Sequence, residues 1–128
     1  NKKGGITTLE DKSLGCVQKS GSADVADVIQ IGSPVTRQGL NLLIGPGNDI
    51  VAVTNLTASG CHMILFSTGR GTPVGAPVPT VKIATNSDLA KTQPHWIDFN
   101  AGKIINGADL TDELFEYVIE VANRQTNE

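Results

Sequence analysis

Long apolar runs, runs of one charge sign and cysteine pairs are all missing from these 128 residues. No stretch approaches the roughly 20 apolar residues that cross a bilayer, and no secretory leader is read at the start. Membrane is therefore not an expected partner. Formal net charge is −3 with neither sign clustered, which argues against nucleic acid as the main partner. Two cysteines, Cys16 and Cys61, lie far apart. They match neither a disulfide framework nor a Cys-x-x-Cys metal knuckle, so a reduced, cytoplasmic protein is the simplest reading. The glycine pattern and the Lys-Ser/Thr pair of a P-loop are absent, no G-x-G-x-x-G follows the first predicted strand, and no nucleophile elbow frames a serine. There is no internal repeat.

What is present suits one folded domain with a real core. Apolar content is 39% and charged content 18%, outside the range of disordered chains. The chain starts at Asn1 with no sign of a natural start and is expected to be a piece of a longer protein, with residues 1–21 as an N-terminal arm and helix and residues 40–124 as the α/β core. Asn55-Leu56-Thr57 is formally a glycosylation sequon but falls inside a predicted helix.

The stretch Leu40 to Thr72 organises the rest. Leu40, Leu42, Leu43 and Ile44 form a run of strand length, broken by Gly45-Pro46-Gly47. Asn48 or Asp49 can cap a helix there. Ile50, Val53, Leu56 and Thr57 then recur at helical spacing up to Gly60. Cys61 to Phe66 is a second apolar run, followed at once by Ser67-Thr68-Gly69-Arg70-Gly71-Thr72-Pro73. Strand, helix and strand in this order predict a right-handed, Rossmann-like βαβ unit. The Gly-Arg-Gly loop falls at a strand carboxyl end, where ligands sit in such sheets.

Before this unit, Thr7 and Glu10 have capping-box spacing for a helix running to about Lys19, stopped by Gly21. Gly4-Gly5 is either a flexible join or a close approach to a ligand. Ser22 is expected to cap a short helix with Val25, Val28 and Ile29 on one face. After the unit, Val74 to Pro79 reads as loop and Thr80 to Ala84 as a third strand. Asn86 or Ser87 would cap a short helix to about Thr92. Trp96, Ile97 and Phe99 suggest a fourth strand, with a little more extended chain at Ile104-Ile105. Asp109 would cap a last helix with Leu110, Leu114, Phe115, Val118, Ile119 and Ala122 as its apolar stripe. Residues Gln125 to Glu128 read as a frayed polar tail. The fold class expected is thus α/β: one layered domain, with a mostly parallel sheet flanked by helices.

Polar clusters follow the predicted strands at Pro46-Gly47-Asn48-Asp49, Thr68 to Thr72, Thr85-Asn86-Ser87 and Asp98 to Asn100. In a parallel sheet they share one edge. Arg70 presents a planar fork of donors that matches a carboxylate. The same loop also reads as a solvated turn, and both readings stay open. His95 and Asp98 suit a base with an orienting carboxylate, or two metal ligands, although positions three apart on a strand face opposite ways. His62, inside a predicted buried strand, reads as a core histidine. These residues define an anion-binding α/β domain and name no reaction.

Five stretches go further. Lys3 to Cys16 (Lys-Gly-Gly-Ile-Thr-Thr-Leu-Glu-Asp-Lys-Ser-Leu-Gly-Cys), Gly45 to Asp49, Thr68 to Pro73, Lys82 to Asn86 and His95 to Gly102 resemble the C-terminal part of the altronate dehydratase and galactarate dehydratase family. That group also takes in the large subunit of a sulfolactate sulfo-lyase. The resemblance implies a bacterial hydro-lyase that turns a polyhydroxy acid into a 2-keto-3-deoxy acid. It implies a divalent metal, typically Fe2+, in the full enzyme and none held by this domain alone. It also implies a polypeptide several times longer than this chain. In that setting Gly69, Arg70, Gly71 and Thr72 are expected to hold the substrate carboxylate. Asn86, Asp98 and Asn100 are expected to bind hydroxyls. His95 and Lys12 are the candidate bases, with Glu10 beside Lys12; the metal ligands are not assigned. Expected partners are a small anionic sugar acid, the rest of the longer chain and a homodimer mate. A self-contained anion-binding module and a purely structural domain are the competing readings.

Overall fold

The computed structural model describes residues 8–124. They contain helices and two small parallel sheets, an α/β architecture as the sequence predicts. Two compact units divide the chain, Asn1–Ile44 and Gly45–Glu128.

In the first unit, helix α1 (Leu9–Lys19) opens on Thr8, whose hydroxyl accepts from the Asp11 amide at 3.1 Å. The cap is therefore Thr8, and the predicted partner Thr7 lies outside the described residues. Gly21 supplies the stop, with φ at +74°. Strand β1 (Val25–Ile29) stands where a helix was expected. Its valines and isoleucine happen to match helical spacing. Being β-branched, they suit a pleated surface better, and β1 pairs in parallel with β2 (Leu40–Leu43). The connection between them is tied down by its own polar groups. Asn41 Nδ2 donates to the Arg37 and Gly39 carbonyls. Arg37 donates to the Ala26 carbonyl and lies 3.8 Å from the Asp27 carboxylate.

The second unit begins with α2 (Asp49–Ala58), capped by Asn48 and ended before Gly60, where φ is +104°. Strands β3 (Ile64–Thr68), β4 (Thr80–Ala84) and β5 (Phe99–Asn100) pair in parallel in that order. The predicted βαβ unit is corrected here. Strand β2 pairs with β1 and β3 pairs with β4, so the strands flanking α2 belong to different sheets. His62 is likewise corrected: it precedes β3 and is exposed. Strand β5 is shorter than expected and begins only after Asp98. The Asp98 carboxylate accepts from the Lys82 amide at 2.7 Å, taking a donor that a longer ladder would use.

Alternation along β4 builds the layers. Val81 and Ile83 point to one face and pack with Phe99 and Leu110 against Leu114, Tyr117 and Val121, mostly from α4 (Thr111–Ala122). Phe99 and Tyr117 lie tilted, with centroids 6.1 Å apart. On the other face Ile64 packs with Val53 of α2 and Val74, flanked by Leu56, Phe66, Ala76 and Val78. The proline-rich β3–β4 crossover thus covers a face that a helix usually covers. Fully burying one such aliphatic side chain contributes about 1.5–3 kcal/mol. Between β4 and β5 runs the short helix α3 (Ser87–Thr92), and a 3-10 helix (Ala101–Asn106) follows β5. Ile104 and Ile105 are therefore helical, not extended. The tail 125–128 lies outside the described residues.

Candidate functional site

Three polar loops meet at the carboxyl edge of the β3–β4–β5 sheet, where the parallel order brings them. Thr68, buried at the end of β3, accepts from the amides of Gly71 at 3.1 Å and Arg70 at 3.4 Å through its hydroxyl. The loop therefore curls back on its own strand. Gly71 takes a left-handed turn with φ at +79°. The Thr85 amide and hydroxyl both donate to the Thr68 carbonyl. Asn86 caps α3, its Oδ1 accepting from the Leu89 amide at 2.8 Å. Its Nδ2 donates to the Gly69 carbonyl at 2.9 Å. Asn100 Oδ1 accepts from the Gly102 amide at 3.0 Å. Its amide group also exchanges longer bonds of 3.3–3.4 Å with the Ser87 hydroxyl.

The edge is thus a framework in which the Arg70, Gly71, Thr85, Leu89 and Gly102 amides already have partners. The Arg70 and Gly71 amides turn toward Thr68, so what the loop offers outward is the Arg70 side chain. Arg70 is exposed and enters no ion pair among the described residues. An anion arriving there meets a planar donor fork with no carboxylate to displace.

Gly69, Arg70, Gly71, Thr72, Asn86 and Asn100 share this edge. Asp98 does not: it lies one residue before β5, its carboxylate held by the Lys82 amide. His95 is exposed on the turn between α3 and β5. Lys12 falls in α1 of the other unit, with its side chain outside the described residues. An open depression of about 330 Å³ is lined by Pro73, Val74, Gly75, Thr80, Lys82 and Trp96. None of the expected site residues lines it. Ser87, named in the Thr85-Asn86-Ser87 cluster, bridges to Asn100. Gly102 was given no role from sequence, and it packs directly on the Asn86–Ser87 backbone. The Asn-Ser and Asn-Ala-Gly sequences after successive strands were the available signal.

Among the described residues two titrations stand out. Asp109 is held below the usual carboxylate value, first by the Thr111 hydroxyl and then by the Thr111 amide, with slight burial opposing. Tyr117 is pushed up by burial and then by the negative charges of Asp98 and Glu120. Neither group belongs to the carboxyl edge. Among the described residues no three His, Cys, Asp or Glu side chains are grouped to hold a metal ion.

Fold and edge together define an α/β domain that gathers polar loops at the carboxyl ends of parallel strands. The chain belongs to the D-galactarate/altronate dehydratase, C-terminal family, whose model matches residues 1–128. It is similar to an altronate dehydratase of Escherichia coli (strain K12), 60% identical over 126 residues, covering 96% of this chain and 26% of that protein. An altronate dehydratase of Bacillus subtilis (strain 168) is 53% identical, covering 98% and 26%. A galactarate dehydratase (L-threo-forming) of Escherichia coli (strain K12) is 38% identical, covering 96% and 24%. The chain spans about a quarter of the length of these relatives.

Proposed function

We propose that this chain is the C-terminal domain of a cytoplasmic hydro-lyase that dehydrates a sugar acid, altronate or galactarate, to a 2-keto-3-deoxy acid. The carrying observation is Arg70, an uncommitted guanidinium on a loop that hydrogen bonds to its neighbours at the carboxyl edge. It supports a role in holding the substrate carboxylate. The Asn100–Ser87 contacts, at 3.3–3.4 Å, are long enough for a substrate hydroxyl to compete for them. Asn86, with both ends of its amide engaged, sets the shape of the loop that carries Arg70.

The reaction removes the proton next to the carboxylate and expels the neighbouring hydroxyl as water. The enol left behind becomes the 2-keto acid by taking a proton at carbon and giving up the one on its hydroxyl. Negative charge grows on the carboxylate as the first proton leaves, and a fixed cation beside it lowers the barrier. His95, on the turn before β5 and outside the carboxyl edge, is the proposed proton-transfer group of this unit. A divalent metal such as Fe2+ belongs to this proposal for the full enzyme, and its ligands would come from outside the described residues. The rest of the longer chain and a homodimer mate are the proposed protein partners.

The test is Arg70→Ala in the full-length enzyme. A charge-assisted hydrogen bond contributes about 1.5–3 kcal/mol, so kcat/KM for the preferred acid should fall about 10- to 150-fold. Unchanged kinetics would remove Arg70 from the substrate site. Altronate, galactarate and sulfolactate are assayed side by side; turnover of sulfolactate alone would move the assignment to a sulfo-lyase. His95→Gln at full rate would strike His95 as the base.

A further inference from the structure

The first unit carries a surface that the carboxyl edge does not explain. Strands β1 and β2 read Val-Ala-Asp-Val-Ile and Leu-Asn-Leu-Leu, with Ile44 next. Such nearly continuous apolar runs mark strands buried on both faces of a parallel sheet. The structure covers only one face. Ile29, paired with Leu43, is 8% exposed. On the opposite face Val28 and its register partner Leu42 are 54% and 42% exposed. Ile44 continues that row two residues on, 48% exposed, and its amide donates to the Ile29 carbonyl at 2.9 Å. Among the described residues each strand has one hydrogen-bonded neighbour, so both outer edges are open. A two-stranded parallel sheet with a bare apolar face is marginal by itself.

We infer that the Val28–Leu42–Ile44 face is the seat of the preceding part of the same full-length polypeptide, which covers it intramolecularly. Chain length points to that occupant. The matched relatives are about four times longer than this chain, and the family model describes a C-terminal part. A second copy is the weaker occupant, because a row of three side chains falls far short of the roughly 800 Å² per partner of a stable interface. The preceding chain needs no such area, since covalent linkage holds it at high effective concentration. This inference rests on the proposed function only in taking the chain as part of a longer enzyme. Turnover tests that reading, and the location of contacts tests this one.

The experiment places a photo-cross-linking phenylalanine analogue at position 42 of the full-length enzyme. Position 91, an exposed lysine of α3, is the solvent control. Light and isotopically heavy protein are mixed before irradiation. The expected product joins position 42 to a peptide preceding Asn1, with both halves carrying the same isotope. Mixed-isotope products alone would assign the face to a second copy and overturn the inference. Solvent-quenched product alone, as at position 91, would also overturn it. Val28→Cys provides a gentler readout that keeps the strand intact. Its thiol should react with a maleimide at least tenfold more slowly than that of Lys91→Cys, and equal rates would count against a covered face.

Discussion

At the scale of single residues, the carboxyl edge depends on backbone approaching backbone. Gly102 is the sharpest case. A Cβ there would fall onto the Ser87 amide nitrogen and the Asn86 carbonyl carbon, neither of which can swing aside like the end of a side chain. Gly102→Ala should therefore cost about 3 kcal/mol, the upper end for overpacking, read as a lowered urea midpoint. A change below ~0.5 kcal/mol would mean that the loops separate easily. Asn86 works through both ends of its amide. Asn86→Asp keeps an oxygen for the Leu89 amide, loses the donor to Gly69 and sets a negative charge beside that carbonyl. It should cost about 1–2 kcal/mol, and Asn86→Ala, losing both bonds, more. The reverse order would show that repulsion between the new carboxylate and the Gly69 carbonyl outweighs the cap on Leu89. These roles were hard to read beforehand. The residue types at the edge stand out in the sequence, but whether an asparagine is free or engaged depends on contacts 13 to 17 residues away along the chain.

At the scale of elements, local chemistry was legible where the chain punctuates itself. Asn48, Asn86, Gly21 and Gly60 mark helix ends as their conformational preferences dictate. Strand β4, alternating and β-branched, runs over the residues expected of it. Strand β1 was misread because Val25, Val28 and Ile29 satisfy a helical period by coincidence, and pairing with β2 decides the matter. The start of α4 offers a pH test. Asp109 precedes the helix and accepts from the Thr111 hydroxyl at 2.7 Å and amide at 3.0 Å. Its titration lies below the ordinary 3.8 because these donors favour the carboxylate. A depressed folded-state value stabilises above the unfolded value and is lost as pH falls through the folded one. Asp109→Asn mimics the protonated form, so it should lower Tm near neutral pH and match the unmodified chain once pH has fallen below the depressed folded-state value. A Tm gap that persists at the acid end would point to packing, not charge.

At the scale of the whole molecule, burial is unevenly shared. Among the described residues, Ile29 is the one buried apolar side chain of the first unit; Val53, Ile64, Val74, Val81, Ile83, Ala84, Leu89, Phe99 and Leu110 belong to the second. Stability scales with apolar area withdrawn from water, so the isolated 128-residue chain should not unfold as one cooperative block. The probes for this are built in. Trp96 and Tyr117 are the chain's single Trp and Tyr, and both lie in the second unit. Tryptophan fluorescence and near-ultraviolet dichroism therefore follow that unit, whereas far-ultraviolet dichroism also follows α1, β1 and β2. In a urea titration the far-ultraviolet signal should begin to fall at lower denaturant than the Trp96 signal, giving curves that do not superimpose. Superimposed curves would mean that the sparse core of the first unit is stabilised together with the second. The same measurement on the full-length enzyme should bring the early part of the transition to higher urea, because the bare face of β1 and β2 is then covered and their unfolding must uncover it.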